Sequence, residues 1–225
     1  MPTIKAVIFD VDGVILDSLA SHLLICKDKN REYSLGLTIP SIGEFKEIVR
    51  SGTKISPMKF FFLSVGFPEH YANIATDYYN KFFIDHYMPK PFDGLIKAFE
   101  NLKSSGIAMG LVTSNVKKNI IISLKDYLHY FPPDCILAKD DYYGDSKAKA
   151  ILMVVKRLGV QAGETLYVGD QISDKIAAEE AGVQFAGVSY GWGFSGEETE
   201  FPIYNDLQTL TELILDENAL LNPLT

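Results

Sequence analysis

Two aspartates with one residue between them carry the clearest chemical signal in the sequence. Asp10 and Asp12 close an almost wholly apolar run, residues 4–9, and Gly13 follows them. Residues two apart in an extended chain project from the same side, so these carboxylates are expected next to each other. Burying two acids at the end of an apolar strand is unfavourable unless a cation or a reaction uses them. The pair therefore indicates a nucleophile beside a proton carrier.

Other polar residues stand where further apolar runs end. Thr113 opens the polar segment 113–115, and Asp170 closes a later run with Asp174 four positions on. If these groups converge, their carboxylates repel one another unless a cation lies between them. Mg²⁺ prefers hard oxygen ligands and typically binds one or two carboxylates, waters and a substrate phosphate. The set therefore predicts a magnesium site.

The elements that must position these residues alternate along the chain. Five short apolar runs predict strands that helices cover on both faces, at 4–10, 107–113, 134–138, 165–170 and 183–189. Helical patterns follow at 92–104, 147–158, 172–181 and 207–215. This alternation predicts an α/β fold, a doubly wound, Rossmann-like parallel sheet with right-handed crossovers. Ligands of such sheets bind beyond the carboxyl ends of the strands, where the polar residues stand.

The segment 18–89 interrupts this alternation. It contains no convincing strand and predicts helices at 18–33, 41–50, 57–65 and 69–87. Its many aromatic residues are interpreted as a core between helices rather than a recognition surface. We therefore expect an α/β core formed by 1–17 and 90–225, with an all-α cap domain at 18–89 inserted after the first strand.

Composition restricts the class of protein. The net charge is −8 and the pI about 5.0, which disfavours binding to nucleic acid or anionic membranes. No apolar run approaches the roughly 18 residues that span a bilayer, and the first residues lack a signal-peptide pattern, so a cytoplasmic protein is expected. Cys26 and Cys135 are interpreted as reduced core residues. The oligomeric state is left undetermined.

At this point the motifs resemble a known family, the haloacid dehalogenase superfamily in its phosphatase branch. Residues 10–18, Asp-Val-Asp-Gly-Val-Ile-Leu-Asp-Ser, are similar to its first motif, and 111–115, Leu-Val-Thr-Ser-Asn, to its second. Residues 167–170, Tyr-Val-Gly-Asp, together with Asp174, are similar to its fourth. The motifs occur in the family's order with suitable spacing, and the resemblance covers nearly the whole chain. Within the family the chain resembles the phosphoglycolate phosphatases and β-phosphoglucomutases.

The resemblance implies a role for each motif residue. Asp10 would attack phosphorus to form an aspartyl-phosphate, and Asp12 would protonate the leaving alkoxide and then activate water. The remaining implied roles are metal binding and phosphate binding. The implied Mg²⁺ ligands are Asp10, the Asp12 carbonyl and Asp170, with Asp174 in support, and the implied phosphate-binding residues are Thr113, Ser114, Asn115 and Lys147.

Several assignments stay open in the sequence. Family members often follow the phosphate-binding lysine with proline, whereas Ala148 follows Lys147, so Lys139 and Lys149 remain alternatives. Arg50, in the loop 50–53, is a candidate for substrate contact from the cap, although a plain helix-ending turn is the favoured interpretation of this loop. The residues Gly191-Trp192-Gly193 are expected in a mobile loop near the site, where Trp192 is a candidate for stacking on the substrate. The four histidines, His22, His70, His86 and His129, are interpreted as surface or core residues.

The expected function is a Mg²⁺-dependent phosphatase that acts on a small phosphorylated metabolite. A phosphomutase of the β-phosphoglucomutase type is the alternative, because similar motifs serve both reactions. Cleavage of C–Cl or C–P bonds is disfavoured by Asp12, since family members with that chemistry usually lack the second aspartate. A non-catalytic binding protein is disfavoured by the complete motif set. The sequence does not identify the substrate.

Overall fold

A six-stranded parallel sheet forms the centre of the protein. The computed structural model describes residues 3–221, and it describes only the backbone of residues 217 and 219–221. The strands of the described chain are β1 Ala6–Phe9, β2 Leu16–Asp17, β3 Lys90–Pro91, β4 Ala108–Val112, β5 Ile136–Leu137, β6 Thr165–Gly169, β7 Gln184–Val188 and β8 Ile203–Tyr204. Strands β2 and β3 form a separate antiparallel pair. The predicted α/β class and parallel sheet are confirmed.

The strand order places β1 near the middle of the sheet. The order is β5-β4-β1-β6-β7-β8, so the chain moves outward from β1 on one side and then crosses to the other. Ile8 pairs with Gly110 of β4 and with Tyr167 of β6. The reversal of direction makes the carboxyl end of β1 a topological switch point, which is where open parallel sheets bind ligands. Asp10 follows this end.

Nine helices accompany the sheet in residues 3–221. They are α1 Leu19–Glu32, α2 Ile42–Arg50, α3 Met58–Ser64, α4 Glu69–His86, α5 Leu95–Ser104, α6 Lys117–Ser123, α7 Lys147–Leu158, α8 Ile172–Ala181 and α9 Leu207–Leu221. Of these, α5, α7, α8 and α9 pack against the sheet. The predicted ends of α7 agree with its capping residues. The Ser146 hydroxyl accepts a hydrogen bond from the Lys149 amide, and Gly159 ends the helix in the left-handed conformation with φ of 71°.

Helices α1–α4 pack around an apolar cluster of their own. Phe45, Phe61, Phe62 and Phe83 are completely buried in it, so the interpretation of the aromatic residues as an inter-helix core holds for these, whereas Phe82 is exposed. Trp192, from the loop after β7, joins this cluster. The β2–β3 pair lies where the chain leaves and re-enters the α/β part. The division of the chain into a core and a cap at 18–89 stays a prediction.

Some elements differ from the sequence prediction. The strand expected at 134–138 is reduced to β5, because Pro132 and Pro133 lack the amide hydrogen of a ladder and form a short 3₁₀ turn instead. Helix α6 and strands β2, β3 and β8 were not predicted. In α6, three successive isoleucines hide the helical period, since β-branched residues favour strands.

Two expectations from composition concern the cysteines and membranes. Cys26 and Cys135 are both free and buried, which agrees with their interpretation as reduced core residues. Within residues 3–221, no helix combines the length and the apolar character needed to cross a membrane.

Candidate active site

Three buried carboxylates meet beyond the carboxyl ends of β1 and β6. Asp10 follows β1, Asp170 follows β6, and Asp174 lies in the first turn of α8. One carboxylate oxygen from each lies within 4.8 Å of the other two. Three acids this close to one another, in a buried place, repel strongly unless a cation compensates them. The oxygen donors fit a hard divalent cation such as Mg²⁺.

Backbone from two loops encloses the Asp170 carboxylate. The Trp192 amide donates a hydrogen bond of 2.7 Å to Asp170 Oδ2. A Cβ atom added to Gly13 would lie 2.1 Å from the same oxygen, and one added to Gly191 would lie 2.4 Å from Asp170 Cβ. Gly13 also has φ of 85°, which disfavours any residue with a side chain. Glycine is therefore required where these loops approach the carboxylate.

Asp174 is oriented by the backbone at the start of α8. Its Oδ2 accepts hydrogen bonds from the Asp170 and Gln171 amides, both at 3.1 Å. Its Oδ1 accepts a 2.6 Å hydrogen bond from Lys147 Nζ. An acid in this position is also favoured by the dipole of the helix N-terminus. Asp174 thus connects the carboxylate cluster to Lys147.

Among the three candidate lysines, Lys147 is the one that contacts Asp10. Its Nζ lies 3.0 Å from Asp10 Oδ1. Burial acts to lower the pKa of Lys147, but the adjacent Asp10 and Asp174 outweigh it, so its pKa is well above the ordinary value. Lys149 instead pairs with the partly exposed Asp145 at 2.7 Å. Lys139 lines the same cavity as Asp10 without belonging to this ion-paired group.

Two acids of the site, Asp10 and Asp170, have raised pKa values in the absence of a metal. Burial raises the pKa of Asp10 to about 7, although Lys147 acts in the opposite direction. Burial also raises the pKa of Asp170 well above its usual range, with Asp174 and Asp10 adding to the shift. A single ammonium group does not offset three carboxylates, so the cluster is electrostatically prepared for a further cation.

Asp12 contacts the polar segment that follows β4. Its Oδ2 accepts a 2.8 Å hydrogen bond from Asn115 Nδ2, whereas its Oδ1 is buried and has no hydrogen-bond partner among the described residues. Thr113 is buried, and its hydroxyl accepts a hydrogen bond from the backbone amide of Asn115. The predicted polar segment after β4 is therefore adjacent to the aspartate pair.

A cavity of about 270 Å³ opens onto these groups. The residues predicted for the site that line it are Asp10, Asp12, Thr113, Ser114, Asn115, Lys147 and Asp174. Helices α1, α3 and α4 contribute His22, Phe61 and Tyr79 to its opposite wall. Trp192 also lines the cavity, while its ring packs against His22 and Phe61. The cavity thus lies between the sheet and the helical segment.

Sequence reasoning missed the participation of His22 and Tyr79. His22 is buried, consistent with a core residue, but it also lines the cavity. Tyr79 is one of many aromatic residues in the helical segment. Residue type alone does not distinguish it from the others. The one available signal for His22 is its place in the first turns of α1, shortly after the Asp10 motif.

Arg50 lies apart from the residues that surround Asp10. Its guanidinium pairs with Glu47 at 2.6 Å and donates a 3.2 Å hydrogen bond to the Phe194 carbonyl. It lines a second cavity, between the 50–56 loop and helix α8, that contains neither Asp10 nor Asp12. The arrangement therefore gives no support to the expected substrate contact by Arg50.

Comparison with known proteins identifies relatives of the chain. A family model described as haloacid dehalogenase-like hydrolase matches residues 7–188. A phosphoglycolate phosphatase of Agrobacterium fabrum is 27% identical, covering 99% of this chain and 92% of that protein. An N-acetylmuramic acid 6-phosphate phosphatase of Pseudomonas aeruginosa is 25% identical, covering 84% and 83%.

Solved structures share the fold. A haloacid dehalogenase-like family hydrolase from Streptococcus pneumoniae superimposes with a TM-score of 0.75 at 20% identity, covering 95% of this chain and all of that one. The matched segment 7–188 includes Asp10, Thr113 and Asp170. The chain belongs to the haloacid dehalogenase-like hydrolase family.

Proposed function

We propose that the protein is a Mg²⁺-dependent phosphatase that hydrolyses a small phosphate monoester through an aspartyl-phosphate on Asp10. The observation that carries the proposal is the ion-paired cluster around Asp10, in which Lys147 lies 3.0 Å away and two further carboxylates lie within 4.8 Å. Phosphoryl transfer depends chiefly on positioning and on compensation of charge, and this cluster supplies both.

Each half of the reaction uses the same two aspartates. In the first, an Asp10 carboxylate oxygen bonds to phosphorus, the bond from phosphorus to the leaving oxygen breaks, and Asp12 gives that oxygen a proton. In the second, water attacks phosphorus and passes a proton to Asp12 while the bond from Asp10 to phosphorus breaks. The products are an alcohol and inorganic phosphate, and both aspartates return to their starting forms.

The residues that would hold Mg²⁺ are Asp10, Asp170 and the Asp12 carbonyl, with Asp174 in support. When bound, the ion would compensate charge on the transferring phosphoryl group and favour the ionised form of Asp10. That second effect matters because burial raises the pKa of Asp10 to about 7. Lys147 and the hydroxyl groups of Thr113 and Ser114 would bind the phosphoryl oxygens.

Helices α1–α4 would act as a cap over this site. Their residues form one wall of a cavity of about 270 Å³, which suits a small substrate rather than a phosphoprotein. The names of the relatives favour hydrolysis over mutase chemistry, and phosphoglycolate is a first substrate to test, because several of them are named for its hydrolysis.

The test of the proposal is phosphate release from 4-nitrophenyl phosphate and from a panel of phosphorylated metabolites, with Mg²⁺ and with EDTA. We expect turnover that requires Mg²⁺, and we expect Asp10→Asn to reduce it by about 10³-fold or more, because the amide is not a nucleophile.

The matched control is Asp126→Asn, which makes the same change at an exposed position and should retain full activity. Circular dichroism checks that both variants are folded. Near-normal turnover by Asp10→Asn would remove Asp10 as the nucleophile, and absence of turnover on every substrate by the wild-type protein would contradict the proposed function.

A further inference from the structure

The two oxygens of the Asp12 carboxylate have different surroundings. Oδ2 accepts a 2.8 Å hydrogen bond from Asn115 Nδ2. Oδ1 is buried and has no hydrogen-bond partner among residues 3–221. The arrangement leaves Oδ1 as the oxygen able to exchange a proton.

The orientation of Asn115 is itself determined by its neighbours. Its Oδ1 accepts hydrogen bonds from the Val116 amide at 2.8 Å and from Asn119 Nδ2 at 2.9 Å. A flipped side-chain amide would present Nδ2 to these donors and Oδ1 to the Asp12 carboxylate, which gives only repulsive contacts. The Nδ2 end of the Asn115 side chain must therefore face Asp12.

A third contact to Asn115 comes from the helical segment. The Tyr79 hydroxyl, on α4, lies 3.3 Å from Asn115 Oδ1 in a direction suitable for donating a hydrogen bond. His22 Nδ1, on α1, donates to the Ser18 carbonyl at 2.7 Å, so Nε2 of the neutral ring is an acceptor, 3.1 Å from the same hydroxyl. The single proton of the Tyr79 hydroxyl is therefore shared between His22 Nε2 and Asn115 Oδ1. Tyr79, His22 and Asn115 are all buried, and each lines the cavity.

We infer that Asn115 is a positioning residue for Asp12, supported by Tyr79 from the opposite wall of the cavity, rather than a ligand of the substrate phosphate. The inference rests on the proposed function, because it assigns the proton exchange of that reaction to Asp12 Oδ1. It also connects the helical segment to the proton carrier, since Asn115 has its full set of contacts only when α4 packs against the end of β4.

The dependence of rate on the leaving group separates positioning of Asp12 from binding of phosphate. A proton donor matters most when the leaving oxygen is strongly basic and little when it is a stable anion. Phenyl phosphate has the more basic leaving group, and 4-nitrophenyl phosphate the less basic one. The ratio kcat/KM includes only the steps up to release of the alcohol, so it excludes the later attack of water.

We therefore compare kcat/KM for a series of ring-substituted phenyl phosphates in wild type, Asn115→Ala and Tyr79→Phe. For Asn115→Ala we expect a loss of about tenfold or more with phenyl phosphate but about twofold or less with 4-nitrophenyl phosphate. Tyr79→Phe should also lower kcat/KM more for phenyl phosphate than for 4-nitrophenyl phosphate. The loss should be smaller than for Asn115→Ala, because the Tyr79 hydroxyl contacts Asp12 only through Asn115.

The control is Tyr87→Phe, which also removes a hydroxyl hydrogen bond within the helical segment, to Asp28 at 3.0 Å, and should leave the series unchanged. Thermal denaturation of each variant checks its fold. An equal loss for all leaving groups would make Asn115 a phosphate ligand, and no loss would give it no part in the reaction. Either result overturns the inference, whereas the proposed function is judged by wild-type turnover.

Discussion

At the scale of single residues, the buried contact between Lys147 and Asp10 has the largest consequences. The Lys147 ammonium group lies between two carboxylates, 3.0 Å from Asp10 and 2.6 Å from Asp174. Breaking a buried ion pair by removing one partner costs about 3–5 kcal/mol, because the remaining charge is left uncompensated. Lys147 is therefore expected to matter for stability as well as for binding the phosphoryl group.

Replacement of this lysine gives the first prediction. Lys147→Met should lower phosphatase activity by about 10²-fold or more, since it removes a charged donor from the transferring group. The measurement is kcat/KM for 4-nitrophenyl phosphate at saturating Mg²⁺, together with the midpoint of thermal unfolding.

Lys149→Met is the matched control, because Lys149 pairs with the partly exposed Asp145, and such surface pairs contribute little. It should change neither activity nor stability appreciably. If Lys149→Met, and not Lys147→Met, lost activity, the phosphate-binding lysine would be Lys149 instead.

At the scale of elements, the loop after β7 determines the position of Asp170. The Trp192 amide donates to the Asp170 carboxylate, and the ring of Trp192 packs into the apolar cluster of helices α1–α4. One short loop thus contacts both the carboxylate cluster and the helical segment. A change in its backbone is expected to move a candidate metal ligand without altering any ionisable group.

Gly191→Ala tests this dependence. The added Cβ would lie 2.4 Å from Asp170 Cβ and 2.6 Å from the Gly13 carbonyl oxygen, so the loop or the carboxylate must shift. We expect the Mg²⁺ concentration for half-maximal activity to rise about tenfold or more, as is typical when a group supporting a metal ligand is disturbed.

Gly163→Ala serves as the control, because no atom lies within 4 Å of the added Cβ there. Its Mg²⁺ dependence should equal that of the wild type. An unchanged Mg²⁺ requirement in Gly191→Ala would show that the position of Asp170 does not depend on this loop.

At the scale of the whole molecule, the carboxylate cluster connects stability to pH. Burial raises the pKa of Asp10 from 3.8 to about 7 in the metal-free protein. Between these two values the native state binds more protons than the unfolded chain, so the free energy of unfolding falls as the pH rises. Bound Mg²⁺ should reverse this trend, because it stabilises the ionised carboxylates of the native state.

The corresponding prediction concerns unfolding in EDTA between about pH 4 and pH 7. The contribution of Asp10 to stability should be largest at the acid end and decline by on the order of 4 kcal/mol across this range, given the raised pKa. Urea unfolding of wild type and Asp10→Asn at several pH values measures it, since asparagine does not titrate. Identical pH dependence in the two proteins would contradict a raised pKa at Asp10.

Much of the fold could be predicted from the sequence, because its signals are local. The strands before Asp10 and Thr113 are continuous apolar runs, and helix α7 lies between a capping serine and a glycine. Where such signals are weak the prediction fails: α6, which lacks a helical period, was missed, and β5, beside two prolines, was predicted too long. Local patterning and capping act over a few residues, so they can be recognised without the rest of the chain.

The sequence by itself determined which chemical groups are present and that they stand at the ends of strands. The apolar runs that end at these residues are local patterns, and residues two apart in an extended chain project from the same side. Only the tertiary structure decided which groups meet. The choice of Lys147 over Lys149, the contact of Asn115 with Asp12 and the separate place of Arg50 depend on strand order, loop paths and packing. Those contacts join residues that are far apart in the chain, and no local pattern records a distance across the folded molecule.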